Sequence, residues 1–133
     1  MTDLDVIRET ITRETGKEPT GTPQAIGGGC INETFRLGNY FIKSNSPSRI
    51  DMFELEHLGL AALHDTATVK VPRPICSGVT RDRSYLVLEF LTLADSSSRA
   101  QEILGRQLAD LHRATTDHFG WPRTNYILSL IHI

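Results

Sequence analysis

The sequence has few cysteines, little net charge and no long apolar run. Its two cysteines, Cys30 and Cys76, lack Cys-x-x-Cys spacing, which excludes a disulfide framework or a cysteine-based zinc site as the organising feature. The formal net charge is −2 without a dense Lys/Arg patch, which argues against nucleic acid or an anionic membrane as the main partner. No apolar run approaches the length of a membrane span, and residues 1–10 do not resemble a secretory signal, so the cytoplasm is the expected compartment.

The chain is long enough to bury one hydrophobic core. At 133 residues, with 39% hydrophobic and 23% charged residues, its composition is ordinary for a soluble globular protein. Periodicity and turn residues predict a helix, a β-hairpin, a second helix, two strands, a polar linker and a third helix. This order lacks a strand-helix-strand series, so the predicted fold class is α+β with an antiparallel sheet. The expected helices span residues 2–15, 49–64 and 98–115, and the expected strands span residues 24–26, 32–37, 40–43, 75–79 and 84–91.

The segment from Ile26 to Lys43 combines a glycine run with the predicted hairpin. A backbone without Cβ atoms can approach a ligand closely and point its N–H groups at phosphate oxygens. The returning strand, after the Gly38-Asn39 turn, could deliver the charge of Lys43 to the same place. We interpret the segment as a nucleotide phosphate clamp. The alternatives are a loop without ligand and an edge-strand lysine that blocks aggregation.

Glu56, on the second helix, is the predicted partner of Lys43. It lies among Met52 and Leu60 at helical spacing, whereas Glu54, two residues away, must face elsewhere. A lysine and an acid on apolar faces are each costly to bury alone, and far less costly as a pair. The alternative is that Glu56 is an ordinary acid of the helix surface.

The third helix should begin at Ser98, which forms a capping box with Gln101. Its apolar residues, expected to face inward, are Ala100, Leu104, Leu108 and Leu111. The histidines do not form a metal-binding set. His64 and His112 do not begin a kinase catalytic loop either, because the required asparagine or aspartate is missing after each.

Taken together, these motifs resemble the small lobe of the fructosamine kinase family, within the aminoglycoside-phosphotransferase and protein-kinase-like group. The resemblance extends over nearly all of residues 1–127. It implies a twisted antiparallel sheet with an αC-type helix, followed by the first helix of a helical large lobe. The matching stretches are GGGCINE (27–33), FIK (41–43), MFELEHLGLAAL (52–63), VPRPI (71–75), YLVLEFL (85–91), LGRQLADLH (104–112) and HFGWPRTN (118–125).

The resemblance also implies a set of cofactor-binding residues and the cofactors ATP and Mg²⁺. The glycine loop would cover the phosphates, the lysine would bind the α- and β-phosphates with its glutamate partner, and the end of the last strand would receive adenine through backbone groups. The implied residues are Gly28, Gly29, Cys30, Lys43, Glu56, Glu89, Phe90 and Leu91. No catalytic residue, Mg²⁺ ligand or other metal ligand is expected in this chain, because the sequence contains no HGD-x-x-x-x-N-like loop.

Members of this family transfer the γ-phosphate of ATP to the sugar part of a ketosamine, so the resemblance implies ATP and a small-molecule or glycated-amine substrate as partners. The chain is expected to be an inactive part of such a kinase. Residues 1–94 would form the ATP-binding lobe, residues 95–127 the linker and the start of the large lobe, and residues 128–133 a foreign tail. Oxidation of Cys30 is predicted to link two chains. The alternatives are another kinase of the group, acting on an aminoglycoside, choline or a sugar, and a non-catalytic module that binds a nucleotide or a partner.

Overall fold

The computed structural model describes residues 1–28 and 31–126. Helices and strands follow the predicted order along the described chain, and each lies within a few residues of its expected range. The elements are α1 Asp3–Thr15, β1 Gln24–Ala25, β2 Glu33–Leu37, β3 Tyr40–Asn45, α2 Ile50–Asp65, β4 Pro74–Val79, β5 Ser84–Glu89 and α3 Ser98–Arg113.

The five strands form one antiparallel sheet in the order β1-β2-β3-β5-β4. The α+β prediction with an antiparallel sheet is therefore confirmed. Strand β5 lies between β3 and β4, and its residues 84–88 are all buried, which explains why this strand is nearly all apolar.

Successive side chains of a strand point to opposite sides, so the sheet presents an apolar face on each side, and a helix packs against each face. On one face, Ile7 and Ile11 of α1 pack in a cluster with Ile42 and Val87. On the other face, Phe53 of α2 packs with neighbouring strand residues, while Met52 and Leu60 lie partly buried at the edge of that cluster. The strand residues of this second cluster are Phe41, Leu86 and Leu88.

Helix α1 begins and ends where its capping residues predict. The Asp5 backbone N–H donates to Thr2 Oγ1 at 3.2 Å, and the Thr2 backbone N–H donates to Asp5 Oδ2 at 2.8 Å. The Thr2 hydroxyl also donates to Asp5 Oδ2 at 2.7 Å, and this bond, with the one from the Thr2 backbone N–H, holds the pKa of Asp5 below its ordinary value. Gly16 ends the helix in the left-handed region, with a φ of 74°.

Helix α2 follows a 3-10 turn at Pro47–Arg49 and therefore begins one residue later than predicted. Phe53 and Leu55 are its buried residues, although the sequence pattern did not single them out. Near the beginning of this helix, Tyr126 Oη donates to Asp51 Oδ2 at 3.2 Å. Residues from the end of the described chain therefore return to α2.

Helix α3 differs from its prediction in two ways. Its N-cap is Ser97, whose side chain accepts the Ala100 backbone N–H at 3.1 Å, so the expected capping box of Ser98 is wrong. The predicted inward orientation of its apolar residues is also wrong, since none of them is buried. Leu104 is 53% exposed, because the described residues provide no second layer that covers this side of the helix.

None of the helices in residues 1–28 and 31–126 has the length and apolar character needed to cross a membrane.

Candidate nucleotide-binding site

Lys43 lies in the middle of the sheet on the face that α2 covers. Its register partners are Thr34 in β2 and Leu86 in β5, so strands flank it on both sides. Strand β3 is paired along both of its edges, which fixes the backbone that carries Lys43. This pairing rules out the alternative of an edge-strand lysine, because edge strands are paired on one side only.

Glu56 reaches Lys43 from α2, as the sequence predicts. Lys43 Nζ donates to Glu56 Oε1 at 2.5 Å, and the two side chains are 25% and 31% exposed. A lysine ammonium has three N–H donors. The other two donors of Lys43 have no partner in the part of the chain that the structure describes. The pair therefore holds the ammonium in place and leaves it able to bind an anion.

The glycine-rich segment follows β1 and is tied to Thr34 of β2, which is the register partner of Lys43. Gly28 has a φ of 111°, a conformation that side chains with a Cβ rarely adopt, and a Cβ built there would meet no atom within 4 Å. Ile26 is tied to the neighbouring strand, since its N–H donates to Thr34 O at 3.0 Å and its carbonyl accepts Thr34 Oγ1 at 2.7 Å. An open groove runs along this segment, and Gly28 and Thr34 contribute to its lining. The backbone at Gly28 is thus accessible to a ligand.

Asn45 holds the other end of the glycine-rich segment. Its Nδ2 donates to Ile31 O at 3.0 Å and to Asn32 Oδ1 at 2.8 Å. Asn45 lies two residues after Lys43, so these bonds connect the segment to the strand that carries the lysine. Gly29 and Cys30 lie outside the described residues, and their predicted roles, including the dimer through Cys30, stay predictions.

The predicted adenine-binding segment begins at Glu89, the last residue of β5, and continues through Phe90 and Leu91. The Glu89 N–H donates to Arg73 O and the Phe90 N–H donates to Asn39 O, each at 2.9 Å. Among residues 1–28 and 31–126, no partner accepts the Leu91 N–H. Of the three amides in this segment, the one at Leu91 is therefore the donor that an adenine ring could use.

Arg36 was not singled out by the sequence, and the structure brings it to this segment. Its Cζ atom lies 4.1 Å from the centroid of the Phe90 ring, which is the geometry of a cation–π contact. Its Nε donates to Gly38 O at 2.8 Å. Alternation in β2 does predict that Arg36 shares a face with Thr34, and hence with Lys43. No sequence signal indicates the contact with Phe90.

The described residues do not contain a group of three or more His, Cys, Asp or Glu side chains that could hold a metal ion.

The model of the family described as fructosamine kinase matches residues 4–133. The chain belongs to the fructosamine kinase family. The match includes residues 128–133, which the sequence analysis predicts to be a foreign tail. These residues lie outside the described ranges, so that prediction stays untested.

Curated relatives match a large share of this chain and a smaller share of their own length. A probable ketoamine kinase of Synechocystis is 39% identical over 83% of this chain and 41% of its own length. The chloroplastic protein-ribulosamine 3-kinase of Arabidopsis thaliana is 37% identical, with coverages of 92% and 40%. The ketosamine-3-kinase of Mus musculus is 40% identical, with coverages of 77% and 35%. The chain thus spans well under half the length of these fructosamine kinase relatives.

A solved structure shares the fold of this fructosamine kinase family member. The crystal structure of a fructosamine-3-kinase candidate from Haemophilus somnus has a TM-score of 0.83 at 24% identity, over 91% of this chain and 43% of that one. The similarity confirms the predicted kinase-like α+β fold.

Proposed function

We propose that this chain forms the nucleotide-binding lobe of an ATP-dependent kinase that phosphorylates fructosamines or related ketosamines. The observation that carries the proposal is the contact between Lys43 and Glu56 on the sheet face that α2 covers. An ammonium fixed by a carboxylate, with two donors left, suits the binding of phosphate oxygens. The names of the relatives, which are ketoamine, ribulosamine and ketosamine kinases, support this substrate class.

The proposed lobe acts by positioning and charge neutralisation. Lys43 would bind the α- and β-phosphates, and Glu56 would keep its ammonium directed at them. Backbone N–H groups at Gly28, Gly29 and Cys30 would cover the phosphates. Donors fixed before the ligand arrives need no reorganisation when charge develops on the transferring group, which is the main source of rate enhancement in phosphoryl transfer.

Adenine would bind at Glu89, Phe90 and Leu91 through backbone groups. The amides of Glu89 and Phe90 are already used within the protein, so the Leu91 N–H is the proposed donor to the ring. Mg²⁺ would neutralise charge on the phosphates, and its ligands would come from outside the described residues.

The proposal assigns residues 1–94 to the nucleotide-binding lobe and residues 95–127 to the linker and the start of a helical large lobe. The 133 residues include no HGD-x-x-x-x-N-like loop, so the proposal assigns the base aspartate and the acceptor pocket to other parts of the family fold. The chain alone should therefore bind nucleotide without transferring phosphate. The proposed compartment is the cytoplasm, as the sequence analysis predicts.

Titration with ATP tests the proposal. Replacing Lys43 by alanine removes a charged hydrogen-bond donor to phosphate, so the dissociation constant should rise by about tenfold or more. Lys70→Ala is the matched control, because Lys70 is exposed and remote from the glycine-rich segment in sequence. Calorimetry of the wild type and both variants gives the constants.

Equal affinities of the Lys43→Ala variant and the wild type would contradict the phosphate role of this lysine. A wild-type chain that binds no ATP would instead favour the module that binds a partner.

A further inference from the structure

Arg36 contacts the proposed adenine-binding segment from across the sheet. Its guanidinium lies over the Phe90 ring, with 4.1 Å between Cζ and the ring centroid. We infer that Arg36 is a positioning residue, which fixes Phe90 and thereby presents the Leu91 N–H to the adenine ring. The inference rests on the proposed function, because it concerns how that site recognises the base.

The guanidinium is itself held in one orientation. Arg36 Nε donates to the carbonyl of Gly38 in the turn between β2 and β3, at 2.8 Å. That turn is closely packed, since a Cβ on Gly38 would lie 3.0 Å from Thr20 O, and its φ of 58° favours glycine. A planar group anchored to a rigid turn offers Phe90 one fixed surface.

The same turn also holds the backbone of Phe90. The carbonyl of Asn39 accepts the Phe90 N–H at 2.9 Å. The β2–β3 turn therefore fixes Phe90 twice, by its main chain through Asn39 and by its ring through Arg36. On the other side, the Glu89 N–H is bound to Arg73 O at 2.9 Å.

These contacts leave the position of Leu91 dependent on Phe90. The Leu91 N–H is the amide of this segment without a partner in the described ranges, and it follows the residue that Arg36 contacts. Hydrogen bonds weaken steeply when their angle or length departs from the optimum. A small movement of Phe90 should therefore weaken binding of the base and leave binding of the phosphates unchanged.

Binding of ADP and of inorganic tripolyphosphate separates these two effects. Arg36→Ala removes one partly exposed cation–π contact, so its dissociation constant for ADP should rise by about two- to fivefold. Its dissociation constant for tripolyphosphate should equal that of the wild type. Phe90→Leu should weaken ADP binding by a similar factor. The Arg36→Ala/Phe90→Leu double variant should bind ADP about as weakly as either single variant. Arg81→Ala is the control, because Arg81 is exposed in the β4–β5 turn.

A direct role of the charge gives a different result. If Arg36 bound phosphate itself, Arg36→Ala would weaken both ligands equally, and this outcome would overturn the inference. Arg36→Lys keeps the charge without the planar guanidinium, so we expect it to weaken ADP binding without affecting tripolyphosphate.

Hydrogen exchange tests the positioning without any nucleotide. The Phe90 amide should exchange faster in Arg36→Ala and in Arg36→Lys than in the wild type, with Arg81→Ala unchanged. Unchanged exchange at Phe90 in both Arg36 variants would overturn the inference even if nucleotide binds. A wild type that binds neither ligand would refute the proposed function, while the exchange rates still decide whether Arg36 fixes this segment.

Discussion

The contact between Lys43 and Glu56 should make a measurable contribution to stability, which a double-mutant cycle isolates. The cycle compares Glu56→Gln, Lys43→Met and the double variant with the wild type. Glutamine keeps the shape of glutamate, and methionine keeps most of the lysine stem, so both changes chiefly remove charge. The ion pair between Glu54 of the same helix and Arg123, which follows α3, provides the control.

The expected coupling follows from the exposure of each pair. Exposed ion pairs contribute about 0.2–1 kcal/mol, and breaking a buried pair by removing one partner costs about 3–5 kcal/mol. Lys43 and Glu56 are 25% and 31% exposed at 2.5 Å, so they fall between these limits, and we expect a coupling of about 1–2 kcal/mol. Glu54 and Arg123 are 45% and 47% exposed at 3.5 Å, and their coupling should stay below about 0.5 kcal/mol.

Urea unfolding measures the cycle, because urea is uncharged and leaves the ion pairs unscreened. Midpoints are compared at constant slope, which shows that the variants do not alter the surface exposed on unfolding. Repeating the cycle in 1 M NaCl adds a second readout, since a Debye length of about 3 Å screens exposed charges far more than partly buried ones. The control coupling should vanish there, and most of the coupling between Lys43 and Glu56 should persist.

A coupling between Lys43 and Glu56 no larger than that of the control pair would refute the reasoning. Lys43 would then be held by its strand alone, and Glu56 could not be its positioning partner. Loss of ATP affinity in Lys43→Ala but not in Glu56→Gln would lead to the same conclusion about Glu56.

Further predictions concern Gly78 of β4 and Cys76, a buried residue of the same strand. A Cβ added at Gly78 would lie 2.6 Å from Tyr85 Oη, so Gly78→Ala should lower the free energy of unfolding by about 1–3 kcal/mol in urea. A Cβ added at Gly59, inside α2, would have no atom within 4 Å, so Gly59→Ala should instead raise the free energy of unfolding by up to about 1 kcal/mol. Equal effects of Gly78→Ala and Gly59→Ala on the free energy of unfolding would contradict the packing argument. Burial raises the pKa of the Cys76 thiol from 9.0 to about 12. The thiolate is the reactive form, so iodoacetamide at pH 8 should label Cys76 slowly in the native protein and rapidly in the unfolded protein. A Cys30→Ser variant leaves Cys76 as the thiol that is labelled. Because the unfolded thiol ionises first, this group should not change stability below pH 9.0, and the free energy of unfolding should fall as pH rises from there toward 12.

Local signals predicted the element bounds and part of the candidate site. Thr2 and Gly16 mark α1 because capping depends on residues within one helical turn. The Gly38-Asn39 turn sets the β2–β3 register in the same way. Helical spacing also separated Glu56 from Glu54, and the structure shows Glu56 in contact with the lysine.

Contacts between distant segments could not be predicted from these signals. Arg36 meets Phe90 only because β3 lies between β2 and β5 in the sheet. The requirement for glycine at residue 78 arises from the position of Tyr85 on the neighbouring strand. The exposure of α3 was also missed, because its apolar periodicity shows which side could be buried and says nothing about whether another layer is present.

The sequence by itself therefore determined where helices and strands form, the fold class, and that Glu56 rather than Glu54 shares a helix face with Met52 and Leu60. These features depend on short-range geometry, namely caps, turns and side-chain periodicity. Only the tertiary structure decided which face of the sheet each helix covers and which amide after β5 is left for a ligand. Those features depend on the order of strands in the sheet and on packing between segments far apart in the chain, and local patterns do not contain that information.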